Sequence, residues 1–275
     1  MASLIRTVKG MPPTALFGAA VIAIYVLVAV FAPLLAPYSE REVVGDQYLQ
    51  WSAQHWLGTD NLGRDMLTRL IFGARNTLAI AFFATALAFV IGTVTGLLAA
   101  TLGGVVDQVL SRVVDIIMAV PGLIFILLLL TIFGTGIVTL IAVIAVLDST
   151  RVFRLARAVA FGIVAMDYVE AARVRGEGLL WIMRREILPN AAAPLVAEFG
   201  MRFCFVFLTI AALSFLGLGI QPPLADWGSM VRENATLITF GDITPLLPAA
   251  AIALLTVAVN FVVDWILHKV SGMKD

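Results

Sequence analysis

Glu170-Ala171-Ala172-Arg173-Val174-Arg175-Gly176, followed by Ile187-Leu188-Pro189-Asn190, is the stretch on which the fold turns. It is polar and rich in arginine, yet strongly apolar stretches flank it on both sides. A membrane protein seldom keeps a long ordered loop unless something docks there. Leu179, Leu180, Met183 and Ile187 fall at i, i+1, i+4 and i+8, one face of a helix, while Glu177, Arg184 and Arg185 fall mostly elsewhere. Ala171 and Ala172 are small helix formers that let a partner approach closely. Gly176 and Gly178 permit a sharp turn between two short helices. Pro189 is expected to stop the second, and Asn190 to cap the next long helix. The expectation is a helix–turn–helix plug. On these residues alone, an amphipathic loop held on a lipid surface by its arginines remains an equal alternative.

Working outward, the chain has 275 residues, 61% hydrophobic and 13% charged, with mean hydropathy +1.02. A soluble domain is nearer 45–50% apolar and about 25% charged, so this is read as an all-α polytopic membrane protein. Net charge is zero, which gives no reason to expect nucleic-acid binding. The single cysteine, Cys204, excludes an intramolecular disulfide and any multi-cysteine metal site. No paired histidines at metal spacing and no nucleophile–base arrangement occur, so an intramembrane enzyme fits poorly. His55 is read as a membrane-interface residue.

About 20 mostly apolar residues cross a bilayer as a helix. Six segments qualify: roughly 15–36, 76–100, 112–133, 137–159, 195–216 and 246–267. The first is too long for a signal-peptide core and is read as a retained span. The fourth is short in apolar residues, Ile137 to Leu147, before Asp148. Orientation follows the positive-inside rule. With the N-terminus cytoplasmic, Arg6, Lys9, Arg112, Arg151, Arg154, Arg157, Arg173, Arg175, Arg184, Arg185, Lys269 and Lys274 lie inside. Only Arg41, Arg64, Arg69, Arg75 and Arg232 lie outside. Both termini and the Glu170 loop are therefore expected in the cytoplasm. The chain divides into 1–75, an N-terminal segment with the first span and an outside loop, and 76–275, with the polar loop at about 160–194. A short amphipathic helix is expected around Arg64–Phe72, before the second span.

Ionisable residues inside spans are functional candidates by default. Glu198 and Arg202 sit one turn apart in the order that favours a helical pair. Asp148 either pairs with Arg151, three residues on, or faces a solute pathway and meets a cationic group there.

The quoted loop resembles the EAA loop of ABC-importer permeases. That pattern is Glu-Ala-Ala, three residues, Gly, nine residues, Ile, one residue, Leu-Pro. Glu170, Ala171, Ala172, Gly176, Leu188 and Pro189 fall in register; Glu186 stands at the Ile position, with Ile187 next. His55-Trp56-Leu57-Gly58-Thr59-Asp60-Asn61-Leu62-Gly63-Arg64-Asp65 is similar to the outside loop of the dipeptide/oligopeptide/nickel branch. So is Ser214-Phe215-Leu216-Gly217-Leu218-Gly219-Ile220-Gln221-Pro222-Pro223, and Asp115 with Pro121-Gly122 agrees. The chain departs from the family at Leu147-Asp148, where Gly-Trp is frequent. The resemblance covers nearly the whole chain and matches the second of that branch's two permease subunits. It implies the six-span type I importer permease fold in a bacterial inner membrane. It also implies a homologous permease as heterodimer partner, two ATP-binding subunits gripping the loop, and an extracytoplasmic solute-binding protein. ATP and Mg would sit on the ATPase chains; this chain has no Gly-x-x-x-x-Gly-Lys-Ser/Thr loop and is expected to carry no cofactor and no catalytic residue. A stand-alone secondary transporter or channel is the alternative, and it would show inverted repeats or paired broken helices.

Overall fold

The computed structural model describes residues 11–271, and among them it is all-helical, with only isolated β-bridges at Val43–Arg64 and Thr59–Asp65. Arg6, Lys9 and Lys274 of the charge pattern lie outside the described residues. The chain begins with α1 (Pro13–Val30), whose first proline occupies a turn where its missing N–H has no helical partner. The short α2 (Ala32–Leu35) follows. Next comes α3 (Met66–Leu102), 37 residues long. The expected separate amphipathic helix at Arg64–Phe72 does not exist as such; from Met66 its residues are the first turns of α3, and Arg64 and Asp65 lie in bridges before it. Gly73 does not break the helix, because its bare face lies against Trp227, 2.7 Å from where a Cβ would stand.

Helices α4 (Gly104–Ala119) and α5 (Gly122–Phe133) meet at an 88° bend. The third expected span is thus not one straight helix. Pro121 has no N–H to donate and pushes Val120 into extended backbone, φ −88° and ψ 131°. Then follow α6 (Ile137–Val164), α7 (Asp167–Val174), α8 (Leu179–Ile182), a π turn (Met183–Ile187) and α9 (Leu188–Phe215). The chain closes with α10 (Trp227–Asn234), a 3-10 turn (Ala235–Phe240) and α11 (Leu246–Ser271). Among the described residues four helical runs are long and apolar enough to cross a membrane, and five if the bent pair is one span. Helix α6 turns polar from Asp148 onward and is not among them.

The chain forms two compact units. One holds the residues up to Phe82, Thr135–Ile137 and Cys204–Trp265. Its loops are tied by buried polar groups. Asp60, with no exposure, accepts from Arg64 Nε at 2.7 Å and from the Leu62 and Arg64 backbone, and Arg69 Nε stands 3.1 Å away. Glu233 reaches both arginines at 3.5 and 3.7 Å. Glu40 accepts from Asn76 Nδ2 and the Ala225 N–H. Asp226 caps α10 through Ser229 N–H and accepts from Thr77 Oγ1; its complete burial pushes its carboxyl above the usual range. His55 is buried against Asp65 at 3.2 Å.

The second unit holds Phe83–Gly134, Val138–Phe203 and the chain from Ile266. Here α3 and α6 approach through Gly92 and Gly96, where a Cβ would stand 2.6 Å from Val152 Cβ and 2.8 Å from Ala156 Cβ. Asp148 does not pair with Arg151 as its near neighbour in sequence. It is buried and turned to Arg202 of α9, 3.7 Å away. Arg202 holds Glu198 at 2.7 Å, the pairing expected from their spacing. Burial selects this partner: Arg151 is exposed, while Arg202 shares the dry side of Asp148.

Candidate functional site

The loop between α6 and α9 is ordered from its apolar residues outward. On α7, Val169 and Ala172 lie three apart and are fully buried. They join Leu97, Ala100, Ala160, Ile182, Met183 and Ile187 in one cluster, with Leu179, Ile163 and Val164 packed against it. This cluster fastens the loop to the ends of α3 and α6. Burying one such branched side chain contributes about 1.5–3 kcal/mol, so a few of them suffice to hold a short loop.

Gly176 makes the turn. Its N–H donates to Arg173 O at 2.9 Å and the Glu177 N–H to Ala172 O at 3.2 Å, the two bonds of a Schellman cap. That cap needs a left-handed residue, and Gly176 has φ +81°. Gly178 needs no such freedom: its φ is −72°, ordinary extended backbone that starts α8.

The second half of the loop departs from the expected helix face. Ile182, Met183 and Ile187 turn inward, but Leu180 is 75% exposed. Within α8 it is Ile182, not Leu180, that joins the cluster, and the π turn over 183–187 then takes up an extra residue through its wider i→i+5 register. Ile187 thereby becomes fully buried while Glu186, in the position where the motif has Ile, stays half-buried. Pro189 does not stop the helix. It sits in the first turn of α9, after the widened turn has relieved the proline's usual conflict with the preceding carbonyls. Asn190 does not cap α9; its Nδ2 donates to Glu186 O at 2.6 Å.

The motif residues therefore divide. Ala172 anchors the loop, Gly176 shapes it, and Glu170, Ala171, Leu188 and Pro189 remain exposed. The Glu170 side chain is 71% exposed and only loosely paired with Arg173, at 3.9 Å. Arg173 also reaches Thr101 O at 3.4 Å. Two exposed apolar groups flank the turn: Val174, which sequence reasoning missed, at 81% exposure, and Leu180, which it placed on the inward face. For Val174, its place between Arg173 and Arg175 was the available signal. Asp148 belongs to the Arg202 cluster on α6 and α9 and is not brought to this loop. The arrangement is a surface of carboxylates, arginines and the exposed Val174 and Leu180 on an apolar base; nothing in it can act as a nucleophile with a base.

Comparison with known proteins adds an independent finding. Residues 92–271 match the family described as binding-protein-dependent transport system inner membrane component. Residues 13–55 match the N-terminal TM domain of oligopeptide transport permease C. The chain is 35% identical to a dipeptide transport system permease protein of Alkalihalophilus pseudofirmus, covering 95% of this chain and 84% of that one. It is 32% identical to a glutathione transport system permease protein of Pectobacterium atrosepticum, over 91% of this chain and 81% of that one. Among solved structures, the MetNI methionine ABC transporter superposes with a TM-score of 0.56 at 20% identity, covering 73% of this chain and 97% of that one. An amino acid ABC transporter gives 0.54 at 23%, covering 72% and 92%. These two speak for the fold alone.

Proposed function

The chain belongs to the binding-protein-dependent transport system inner membrane component family, and from that premise we propose that it is one permease subunit of an ATP-driven importer for peptides or related small solutes. The proposal includes six membrane crossings, α6 being the fourth and the bent α4–α5 pair the third. It places both termini and the Glu170 loop in the cytoplasm of a bacterial cell, with the permease in the inner membrane. The arginine distribution supports this orientation.

The observation that carries the reading is the two-sided loop. Val169, Ala172, Ile182 and Ile187 bind it to the helices, while Glu170, Val174 and Leu180 stand free for a partner. A partner ATPase can shift the permease only through contacts that differ between two states. A rigidly based surface passes such a contact into α6 and α9, which flank it. In this reading Glu170, Ala171, Ala172, Gly176, Leu188 and Pro189 form the coupling site. A homologous permease completes the pathway, two ATPase subunits supply ATP and Mg chemistry, and an extracytoplasmic binding protein delivers the solute. The stand-alone transporter alternative asks for broken helices in corresponding halves; the described residues hold one bent pair.

Gentle purification of the tagged chain from its native membrane tests the proposal. A second permease and ATPase chains are expected to accompany it, and reconstituted uptake should require ATP. A chain that purifies alone and moves solute in liposomes without ATP would overturn it.

A further inference from the structure

One charged region is used neither by the coupling loop nor by the buried clusters. It lies within the second unit, between α4 and α6. Asp107, Ser111 and Asp115 recur at i, i+4 and i+8 on α4, and they face Arg154 and Arg157 of α6. These side chains line a concavity of about 680 Å³ and an adjoining one of about 360 Å³, which share Ser111, Asp115 and Arg157.

The two ion pairs differ in build. Asp107 accepts from both Nε and Nη2 of Arg157, the latter at 2.6 Å, and Ser111 Oγ donates to the same carboxylate at 3.3 Å. The Arg157 guanidinium also lies over the Phe161 ring, 5.1 Å from its centre. Arg157 is fixed from two sides. Asp115 has one contact, Arg154 Nη2 at 2.8 Å, and the two side chains are 53% and 54% exposed. Such an open, single-contact pair is worth little and exchanges partners readily.

These charges stand directly before α5, whose residues Gly122–Phe133 are almost wholly apolar. Ionisable groups at that level face the bundle interior or water, not lipid. Asp115 and Arg154 are half-exposed and so lie outside this chain's own core, where a water-filled route between it and the second permease accommodates their charge.

Resting on the permease reading, we infer that this concavity is the loop-side wall of the solute route, and that Asp115–Arg154 is an exchangeable counter-ion pair for a solute bearing both a free ammonium and a free carboxylate. Asp115 would accept the ammonium and Arg154 the carboxylate, each replacing the other's contact. Asp107–Arg157 keeps the wall in shape meanwhile. No bond forms or breaks.

Ser111→Cys in the assembled importer in nanodiscs provides the test. Cys204, this chain's only native thiol, is 6% exposed, and labelling is read on this chain after its separation from the other subunits, against the unsubstituted importer. The probes are a trimethylammonium and a sulfonate methanethiosulfonate reagent. Labelling is expected without nucleotide and to slow about tenfold when a non-hydrolysable ATP analogue is bound. Asp115→Asn should raise the sulfonate-to-trimethylammonium rate ratio several-fold and Arg154→Gln should lower it. Dialanine should slow labelling, and N-acetyl-dialanine amide should not. Labelling that ignores nucleotide, a charge ratio unmoved by either variant, or equal effects of the two dialanine forms would each overturn the assignment. ATP-driven uptake by the unsubstituted importer is measured alongside. Loss of ATP dependence there sinks the permease reading itself, whereas insensitive labelling in a working importer sinks only this wall.

Discussion

Around Asp60 the charges are turned inward, and around Gly176 they are turned outward. Asp60, Arg64, Arg69 and Glu233 are nearly dry, with opposite charges 2.7 to 3.7 Å apart. Glu170, Arg173 and Arg175 are largely wet and touch their nearest opposite charges only at about 4 Å. The supporting groups are reversed as well. The first region is held by its polar atoms; the second is held chiefly by an apolar cluster, with its charged side chains mostly outside it. A buried pair fixes geometry because breaking it strands a charge in low dielectric. An exposed charge fixes nothing and stays available to a partner. The difference separates a region built to keep its shape from one built to be gripped.

Four substitutions sharpen that contrast, ranked by expected loss of stability. Asp60→Ala strands Arg64 and Arg69 and should destabilise by about 3–5 kcal/mol, read as a large drop in melting temperature of the purified complex. A shift no larger than for a surface change would mean the knot is solvated. Ile187→Ala opens a cavity under the loop and should cost about 2–5 kcal/mol. Limited proteolysis should find faster cleavage between 165 and 187 while the Asp60 region keeps its protection. Gly176→Ala forces a side chain to φ +81° and should cost about 1–2 kcal/mol. No atom lies within 4 Å of the added Cβ, so the strain is purely conformational, and thermal shift should show a small loss with the loop intact. Glu170→Ala should change stability by less than about 0.5 kcal/mol, yet it should abolish ATP-coupled uptake at normal expression. Normal uptake in that variant would remove Glu170 from the coupling role.

How much of this was legible depended on range. The paired short helices with a turn at Gly176 could be read because a Schellman cap, a glycine and a 3.6-residue period are local. The Glu198–Arg202 pair was legible for the same reason. Errors began where local signals were outvoted. The period placed Leu180 inward, but Ile182 takes the buried place in that turn, and the widened turn after it sets which residue is buried at 187. Pro189 read as a stop because a proline's effect depends on which carbonyl lies behind it, and the π turn moved that carbonyl. Pro121 carried a visible bend signal within the third span, yet the apolar run on its far side masked it. For Asp148 the spacing offered only Arg151 or a solute pathway, whereas Arg202, 3.7 Å away, lies 54 residues on (202 − 148) and is close only in space.

The sequence by itself determined that this is a polytopic helical membrane protein, where its polar loop lies, and which family that loop resembles. Those properties follow from composition, hydrophobic run length and motif spacing, each summed over neighbours in the chain. Only the tertiary structure decided which face of the loop is anchored and which is free, which carboxylates are locked to arginines, and where α4 meets α6 around open charge. Those depend on burial, and burial is set by residues far apart in the chain that share one dry or wet side.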